Sequence, residues 1–382
     1  MKSSRVMTFA AGSAVRAFPR HIHWNNTWNP REHAGLHAPR RCAESRRPLR
    51  HGAAHTFLDV LPSTFLGVPD GGTALSVLPA HRLVLRGKGL EVVRIALVAS
   101  FLATLFSIPL IPIYIRLAPL YRPAVGKIAV IFLIVLLVAT EDGVKRLYAL
   151  FVVFVSGAVG FLVLSLSMEE PFYALFTGLF GVPVIVSSIG SGTRNIEPGK
   201  PEVEIAPTKL AFFSFYGTLS GMLASLFPAF TASQAALLGT FVSRDERSFL
   251  TVVYSLNTAN FLFAFFNFLK TGRERNGIVA LMEPLGLESL PPFVLLALFV
   301  GLATLLYGEA LAALCAGALS RLPYRLINFL VLVFLIVLAF VFDGVLGLLA
   351  LTASSITGYL AVLLGVKRTN CMGSLMLPVL LR

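Results

Sequence analysis

Charged residues are scarce in this sequence: 13% of its 382 residues are Asp, Glu, Lys or Arg, whereas soluble domains carry about 25%. Apolar residues make up 56%, and the mean hydropathy is +0.79. Because so few charges cannot cover a water-facing surface, most of the surface must contact lipid. The three cysteines are far apart along the chain (Cys42, Cys315 and Cys371), which argues against a disulfide framework or a zinc site.

The excess positive charge is concentrated at the start of the chain. The formal net charge is +13, and residues 1–50 contribute ten Lys or Arg against two acids. Most other basic residues stand in short clusters between apolar runs, where such clusters bias topology and contact lipid headgroups. We therefore expect no nucleic-acid partner, although a pI near 10 would by itself suggest one.

From Ile95 onward the sequence consists of uncharged runs separated by short polar loops. Several runs reach the roughly 20 residues that a helix needs to cross a bilayer, and they are too uniformly apolar for barrel strands. The pattern predicts an all-α, polytopic membrane protein with about nine to eleven membrane segments, including broken or re-entrant helices, in two related halves. We expect a multi-pass protein of the cell (plasma) membrane, in contact with lipid.

Paired features recur about 200 residues apart along the chain. Asp142-Gly143 corresponds to Asp343-Gly344, and Gly178 with Pro183 corresponds to Gly373 with Pro378. We predict a first transporter repeat over residues 53–193, a polar linker over 194–208 and a second repeat over 209–382. Duplicated halves with Gly- or Pro-broken segments are typical of secondary transporters, which bind their solute where the broken segments meet.

The basic stretch 1–52 stands where the duplication requires an apolar helix and a broken segment. Three interpretations remain open: a disordered basic arm, a targeting segment, or sequence that is not ancestral because of a shifted frame or start. A secretory signal needs an apolar core of 7–15 residues, and none is present. We favour the altered start, which translation of the upstream DNA in the other frames would test.

The first candidate site lies in residues 55–73, which are apolar but rich in Pro, Gly, Asp and hydroxyl residues. No continuous helix tolerates this composition. Irregular backbone at membrane depth survives only when it is buried in protein or lines a cavity, where freed backbone groups and carboxylates bind solutes or ions. The candidate contacts are Asp59, Pro62, Ser63, Thr64 and Asp70. The alternative is an interfacial loop.

The second candidate site is Phe227–Gln234, inside an uncharged run that is too long for one span. Pro228 should break the helix, and Thr231 or Ser233 can cap the next one. Together with Gln234, these residues suit an anionic ligand at the start of a half-helix. The alternative is a packed helix that Pro228 kinks.

The third candidate site is the polar stretch 255–260 in the middle of an apolar run. Asn257 and Asn260 are three residues apart and therefore share one helix face. Amides in hydrocarbon are costly unless they are paired, so they contact a ligand or cation, or they bond a neighbouring helix. A weaker fourth motif, Arg368–Ser374, is either another half-helix entry or a helix cap.

An enzymatic reading has little support in the sequence. Asp142 and Asp343 could form an aspartate dyad, but their contexts fit tight Asp-Gly turns between antiparallel helices better. The sequence has no HExxH, GxSxG or P-loop motif. We expect no enzyme activity, no metal and no cofactor, apart from Na⁺ or H⁺ as a coupling ion.

Three motifs resemble the large membrane subunit of tripartite tricarboxylate transporters, the TctA family, and its divergent archaeal branch in particular. They are Pro62-Ser-Thr-Phe-Leu-Gly67-Val-Pro69, Pro228 with Ser233-Gln-Ala-Ala236, and Asn257-Thr-Ala-Asn260. The resemblance covers about residues 53–382. Phe227-Pro-Ala-Phe230 departs from the family's Pro-Gly, and the first copy of that element is missing.

The resemblance implies a duplicated helical fold and ion-gradient-driven uptake of small carboxylates. It also implies two partners, a small membrane subunit and an extracytoplasmic binding protein. The rival hypothesis is a membrane-embedded enzyme or lipid-handling protein.

Overall fold

The computed structural model describes residues 50–66, 76–120, 123–190, 202–226, 245–273, 279, 287–320 and 323–381. No strand occurs in these ranges. The helices are α1 (50–58), α2 (Val60–Phe65), α3 (Val77–Leu85), α4 (Gly89–Leu117), α5 (Pro123–Ala139), α6 (Lys145–Ser165), α7 (Pro171–Phe176), α8 (Val182–Gly190), α9 (Pro207–Leu226), α10 (Glu246–Thr271), α11 (Leu290–Leu319), α12 (Tyr324–Leu363) and α13 (Gly373–Leu381). Five predicted site residues lie outside the described residues: Asp70, Pro228, Thr231, Ser233 and Gln234. So do residues 1–49 and most of the linker.

Five helices within the described ranges are long and apolar enough to cross a membrane. They are Gly89–Leu120, Lys145–Ser165, Glu246–Thr271, Leu287–Leu319 and Arg325–Leu363. Large apolar side chains such as Phe154, Phe299 and Leu306 are exposed along them, as expected of surfaces that face lipid. The prediction of an all-α polytopic membrane protein is confirmed, and the number of segments stays a prediction.

Helix α12 is a helical hairpin rather than one straight rod. Gly344 has φ 58° and ψ −136°, a conformation that L side chains rarely adopt. Gly347 then lies against Ala339, since a Cβ at Gly347 would be 2.1 Å from the Ala339 carbonyl oxygen. Gly143, between α5 and α6, also has a positive φ of 52°. The turns predicted at the two Asp-Gly pairs are therefore confirmed.

Helix α10 is the central helix of the molecule. Its most apolar window is 89% buried, whereas that of Arg325–Leu363 is only 17% buried. Helix α9 approaches it closely at Gly217 and Gly221, where an added Cβ would meet the Ser255 hydroxyl at 2.0 Å or the Leu256 carbonyl oxygen at 2.5 Å. Such small residues allow membrane helices to pack backbone to backbone.

Two short segments, each near the end of one predicted repeat, pack on a long helix of the other predicted repeat. We name residues 171–190 (α7, the π-helical turn Thr177–Gly181 and α8) the first broken segment. Residues 368–381 (the 3-10 turn Arg368–Met372 and α13) are the second broken segment. The first broken segment packs on the part of α12 that follows Gly344, and the second broken segment packs on α6. A π-helical turn inside a helix, such as Thr177–Gly181, is frequent at functional sites.

Candidate functional site

The first predicted site is centred on Asp59, in a helix that continues to Phe65. The backbone is helical at Asp59 (φ −60°, ψ −20°): its N–H donates to the His55 carbonyl oxygen at 2.9 Å, and its own carbonyl oxygen accepts from the Ser63 N–H at 3.3 Å. Pro62 lacks an N–H and so leaves the Leu58 carbonyl without its helical partner, but the predicted interruption of the helix does not occur within residues 55–65. Pro62 itself is exposed, while Asp59 is only 5% exposed.

The Asp59 carboxylate contacts the central helix. The Nδ2 of Asn257 donates to Oδ2 of Asp59 over 2.8 Å, and both side chains are buried. The two residues are 198 positions apart and belong to opposite halves. A hydrogen bond to a charged group stabilises by about 1.5–3 kcal/mol, so this pair ties the helix that carries Asp59 to α10.

Hydroxyl groups surround this pair. The Ser76 hydroxyl donates to Oη of Tyr254 over 3.3 Å, and the Tyr254 hydroxyl also faces Ser63, Thr64 and the Asp59 carboxylate. Ser63 donates to the Val60 carbonyl at 3.2 Å. The structure thus brings Asp59, Ser63, Thr64 and Asn257 together, and we name these four residues with Tyr254 and Ser76 the Asp59 cluster.

Asn260 does not join the Asp59 cluster. It is half-buried, and its side chain makes no hydrogen bond with any residue that the structure describes. Its backbone nitrogen instead lies close to Gly221 of α9. The Asn257 and Asn260 amides therefore do not share a partner among the described residues, although the sequence places both on one helix face.

A carboxylate with amide and hydroxyl oxygens around it is suited to a small hard cation or a proton. The negative charge of Asp59 would repel an anion, so this cluster alone is a poor site for a carboxylate group. Among the described residues, no three His, Cys, Asp or Glu side chains are close enough together to hold a metal ion.

Each half sends an acid to the start of the opposite broken segment. Glu141 Oε1 accepts from the Lys367 backbone N–H at 2.7 Å and from Asn370 Nδ2 at 3.0 Å. The Asp343 carboxylate accepts from the backbone N–H groups of Glu169 and Glu170, the latter at 3.1 Å. Carboxylates at helix N-termini are stabilising caps. Asp343 and Glu141 therefore act as caps, and the cap at the start of Arg368–Ser374 is supplied by Glu141 from outside that motif.

Arg368 begins the second broken segment and is half-buried. Its Nη1 donates to the Phe180 carbonyl oxygen, in the π-helical turn of the first broken segment, over 3.1 Å. His81 and Arg82 of α3 lie within range of its charge. No acid within the described ranges forms an ion pair with it.

A surface cavity of about 490 Å³ lies at the start of α9 and α10, beside Arg247 and Lys209. Arg247 there forms ion pairs with Glu91 at 2.6 Å and with Glu204 at 2.6 Å. Glu91 is only 1% exposed and also accepts from the Glu204 backbone N–H at 2.8 Å. Glu91 and Glu204 thus neutralise Arg247 and tie the linker to α4 and α10.

The sequence model of the "Tripartite tricarboxylate transporter TctA family" matches residues 51–373. The chain belongs to the tripartite tricarboxylate transporter TctA family. It is 27% identical over 241 residues to the uncharacterized protein MJ1079 of Methanocaldococcus jannaschii, which covers 60% of this chain and 59% of that protein. The chain thus spans less than two thirds of this relative's length. No solved structure matches it significantly.

Several polar residues of this TctA-family chain were missed by the reasoning from sequence. Tyr254 and Ser76 join the Asp59 cluster, and a second network links Asn267 and Ser225 to Tyr114. In that network Asn267 Nδ2 donates to the Ser225 carbonyl at 3.3 Å, and the Ser225 hydroxyl donates to Tyr114 Oη at 3.0 Å. These residues could have been noticed in the sequence as polar residues inside apolar runs. The same pattern also marks many ordinary helix–helix contacts, so it does not single out a site.

Proposed function

We propose that the chain is the permease subunit of an uptake system for small carboxylate solutes in the cell membrane, driven by a Na⁺ or H⁺ gradient. Membership of a transporter family supports this proposal. The observation that carries it is the buried hydrogen bond between Asp59 and Asn257 of the central helix. In this proposal the Asp59 cluster binds the coupling cation. A small membrane subunit and an extracytoplasmic binding protein complete the system.

We further propose that the halves arose by duplication and move against each other. The packing of the broken segments supports this. A Cβ at Gly178 would lie 2.7 Å from the Leu351 carbonyl oxygen, and one at Gly373 would lie 2.2 Å from that of Val153. Each contact joins a broken segment of one half to a long helix of the other. Rocking of one bundle about such contacts, with the cation and solute between them, would give alternating access.

Uptake by the full chain in proteoliposomes tests the proposal. Citrate, succinate and propionate are offered with a Na⁺ gradient, a pH gradient or neither. We expect gradient-dependent uptake of at least one of the three. A folded wild-type protein that takes up none of them contradicts the proposal and favours the rival, a membrane-embedded enzyme or lipid-handling protein.

Variants of the central pair test the role of the Asp59 cluster. Asp59→Asn removes the negative charge, and Asn257→Ala removes the amide that holds the carboxylate, so both should reduce uptake to background. Asn260→Ala is the matched control, because this amide has no partner in the cluster, and it should retain most of the uptake. Gel filtration and thermal unfolding in detergent check folding. Uptake that survives both cluster substitutions means that the pair is structural.

A further inference from the structure

An anionic solute needs a positive partner, and the Asp59 cluster carries a negative charge instead. We propose that the Arg368 guanidinium binds a carboxylate group of the transported solute. This inference rests on the proposed function and adds a residue to it. Arg368 opens the weaker fourth motif of the sequence analysis, which assigned it no contact with the solute.

The position of Arg368 is the first argument. Its Nη1 reaches the Phe180 carbonyl oxygen at 3.1 Å in the π-helical turn of the first broken segment. His81 of α3 is close enough to be affected by its charge. Arg368 therefore stands where the two broken segments and α3 come together. A solute held there would contact elements of both halves.

The charge balance around Arg368 is the second argument. Arg86 pairs with Glu246 at 3.1 Å, and Arg94 pairs with Glu309 at 3.0 Å, whereas Arg116 and Lys367 form no ion pair with a described acid but are exposed to solvent. Across the described part of the chain, no acid pairs with Arg368. Its charged neighbour is a second cation, Arg82. A partly buried charge is costly unless it is paired, and a bound carboxylate would supply the pair.

The geometry of the group is the third argument. A guanidinium has five N–H donors in a planar fork that matches a carboxylate, and the Phe180 carbonyl accepts from Nη1 alone. The remaining N–H groups of the fork make no hydrogen bond with a described residue, so they are the donors that a solute carboxylate would meet.

Uptake kinetics test the proposal, with the carboxylate among citrate, succinate and propionate that the wild-type protein takes up fastest. Arg368→Lys keeps the charge but loses the fork, so we expect KM to rise about tenfold or more, with a smaller change in maximal rate. Arg368→Gln should raise KM further. Arg116→Gln is the matched control, since it removes an exposed positive charge, and its KM should be unchanged.

An unchanged KM in a folded Arg368→Lys protein overturns the inference but leaves the proposed function standing. Absence of uptake by the wild-type protein instead overturns the proposed function. The two failures are therefore distinguishable. The lysine variant also keeps the test valid if Arg368→Gln does not fold.

Chemical modification of the wild-type protein gives a test that needs no variant. Phenylglyoxal reacts with guanidinium groups, and mass spectrometry reports the modified fraction at each arginine. In liposomes of phosphatidylcholine, the transported carboxylate should protect Arg368 and leave Arg116 equally reactive. Equal modification of Arg368 with and without the solute contradicts the inference. Protection by phosphatidylglycerol in the absence of solute identifies a lipid headgroup site and also contradicts it.

Discussion

The two broken segments, residues 171–190 and 368–381, are held in the same way but differ in charge. Each presents a glycine to a backbone carbonyl of a long helix in the opposite half, Gly178 to Leu351 and Gly373 to Val153. Each has its N-terminus capped by an acid from the opposite hairpin turn, Asp343 or Glu141. The shared features are those of a scaffold.

The two broken segments differ in the polar side chain that lies near the N-terminus of each. Tyr173 in the first broken segment donates to the Leu335 carbonyl oxygen at 3.0 Å and is satisfied within the protein. Arg368 in the second retains a charge that no described acid neutralises. We infer that the glycine contacts and the capping acids, which both segments have, hold the fold together. Arg368, which only the second segment has, would then recognise the solute.

The largest expected effect on stability comes from the close-approach glycines. A Cβ at Gly373 would lie 2.2 Å from the Val153 carbonyl oxygen, and one at Gly178 would lie 2.4 Å from Ser354 Cβ. Overpacking of this kind costs about 1–3 kcal/mol, so Gly373→Ala and Gly178→Ala should both lower the unfolding temperature in detergent.

The control for these substitutions is Gly317→Ala in α11, where an added Cβ meets nothing within 4 Å. It should leave the unfolding temperature unchanged or raise it slightly, because alanine favours a helix over glycine by about 1 kcal/mol. If only one of the two substitutions, Gly373→Ala or Gly178→Ala, lowers the unfolding temperature, the two broken segments are not packed in the same way.

A smaller effect is expected from the capping acids. Glu141→Gln removes a buried charge that accepts two hydrogen bonds, and Asp343→Asn removes its counterpart. Loss of a capping interaction costs about 0.5–2 kcal/mol, which thermal unfolding can resolve. Asp142→Asn is the matched control, since Asp142 is exposed next to Glu141. Equal losses in Asp142→Asn and Glu141→Gln contradict this assignment of the caps.

The sequence predicted Asp142 as the counterpart of Asp343, yet Glu141 makes the contact. A repeat in sequence aligns residues along the chain, but a difference of one residue in the turn decides which side chain points at the opposite half. Helical spans and turns could be predicted because they depend on local composition: long apolar runs give helices, and Asp-Gly gives a turn.

Contacts between the halves could not be predicted in the same way. Asp59 and Asn257 were each predicted as site residues, but a hydrogen bond across 198 positions depends on how the halves pack. Arg368 stands beside Lys367 between two apolar runs, a pattern typical of topology-setting loops. Only the hydrogen bond from Arg368 to the Phe180 carbonyl oxygen distinguishes Arg368 from the basic residues of such loops.

The smallest expected effect is a pH dependence that only one broken segment should show. Glu170 immediately precedes the first broken segment, and burial, followed by the nearby charges of Asp343 and Glu169, raises its pKa from 4.5 to about 7. The folded protein therefore binds this proton more tightly than the unfolded chain. The stabilisation is complete below about pH 4.5 and is lost as the pH rises to about 7.

Glu170→Gln should therefore flatten the fall in unfolding temperature between pH 5 and pH 7.5, since glutamine mimics the protonated side chain beside Asp343. The corresponding position before Arg368 is Lys367, whose backbone N–H meets Glu141, so Lys367→Gln should leave the slope unchanged. Unfolding temperatures measured across this range for the wild-type protein and both variants give the comparison. If Glu170→Gln keeps the wild-type slope, another group is responsible, and the two broken segments do not differ in their response to pH.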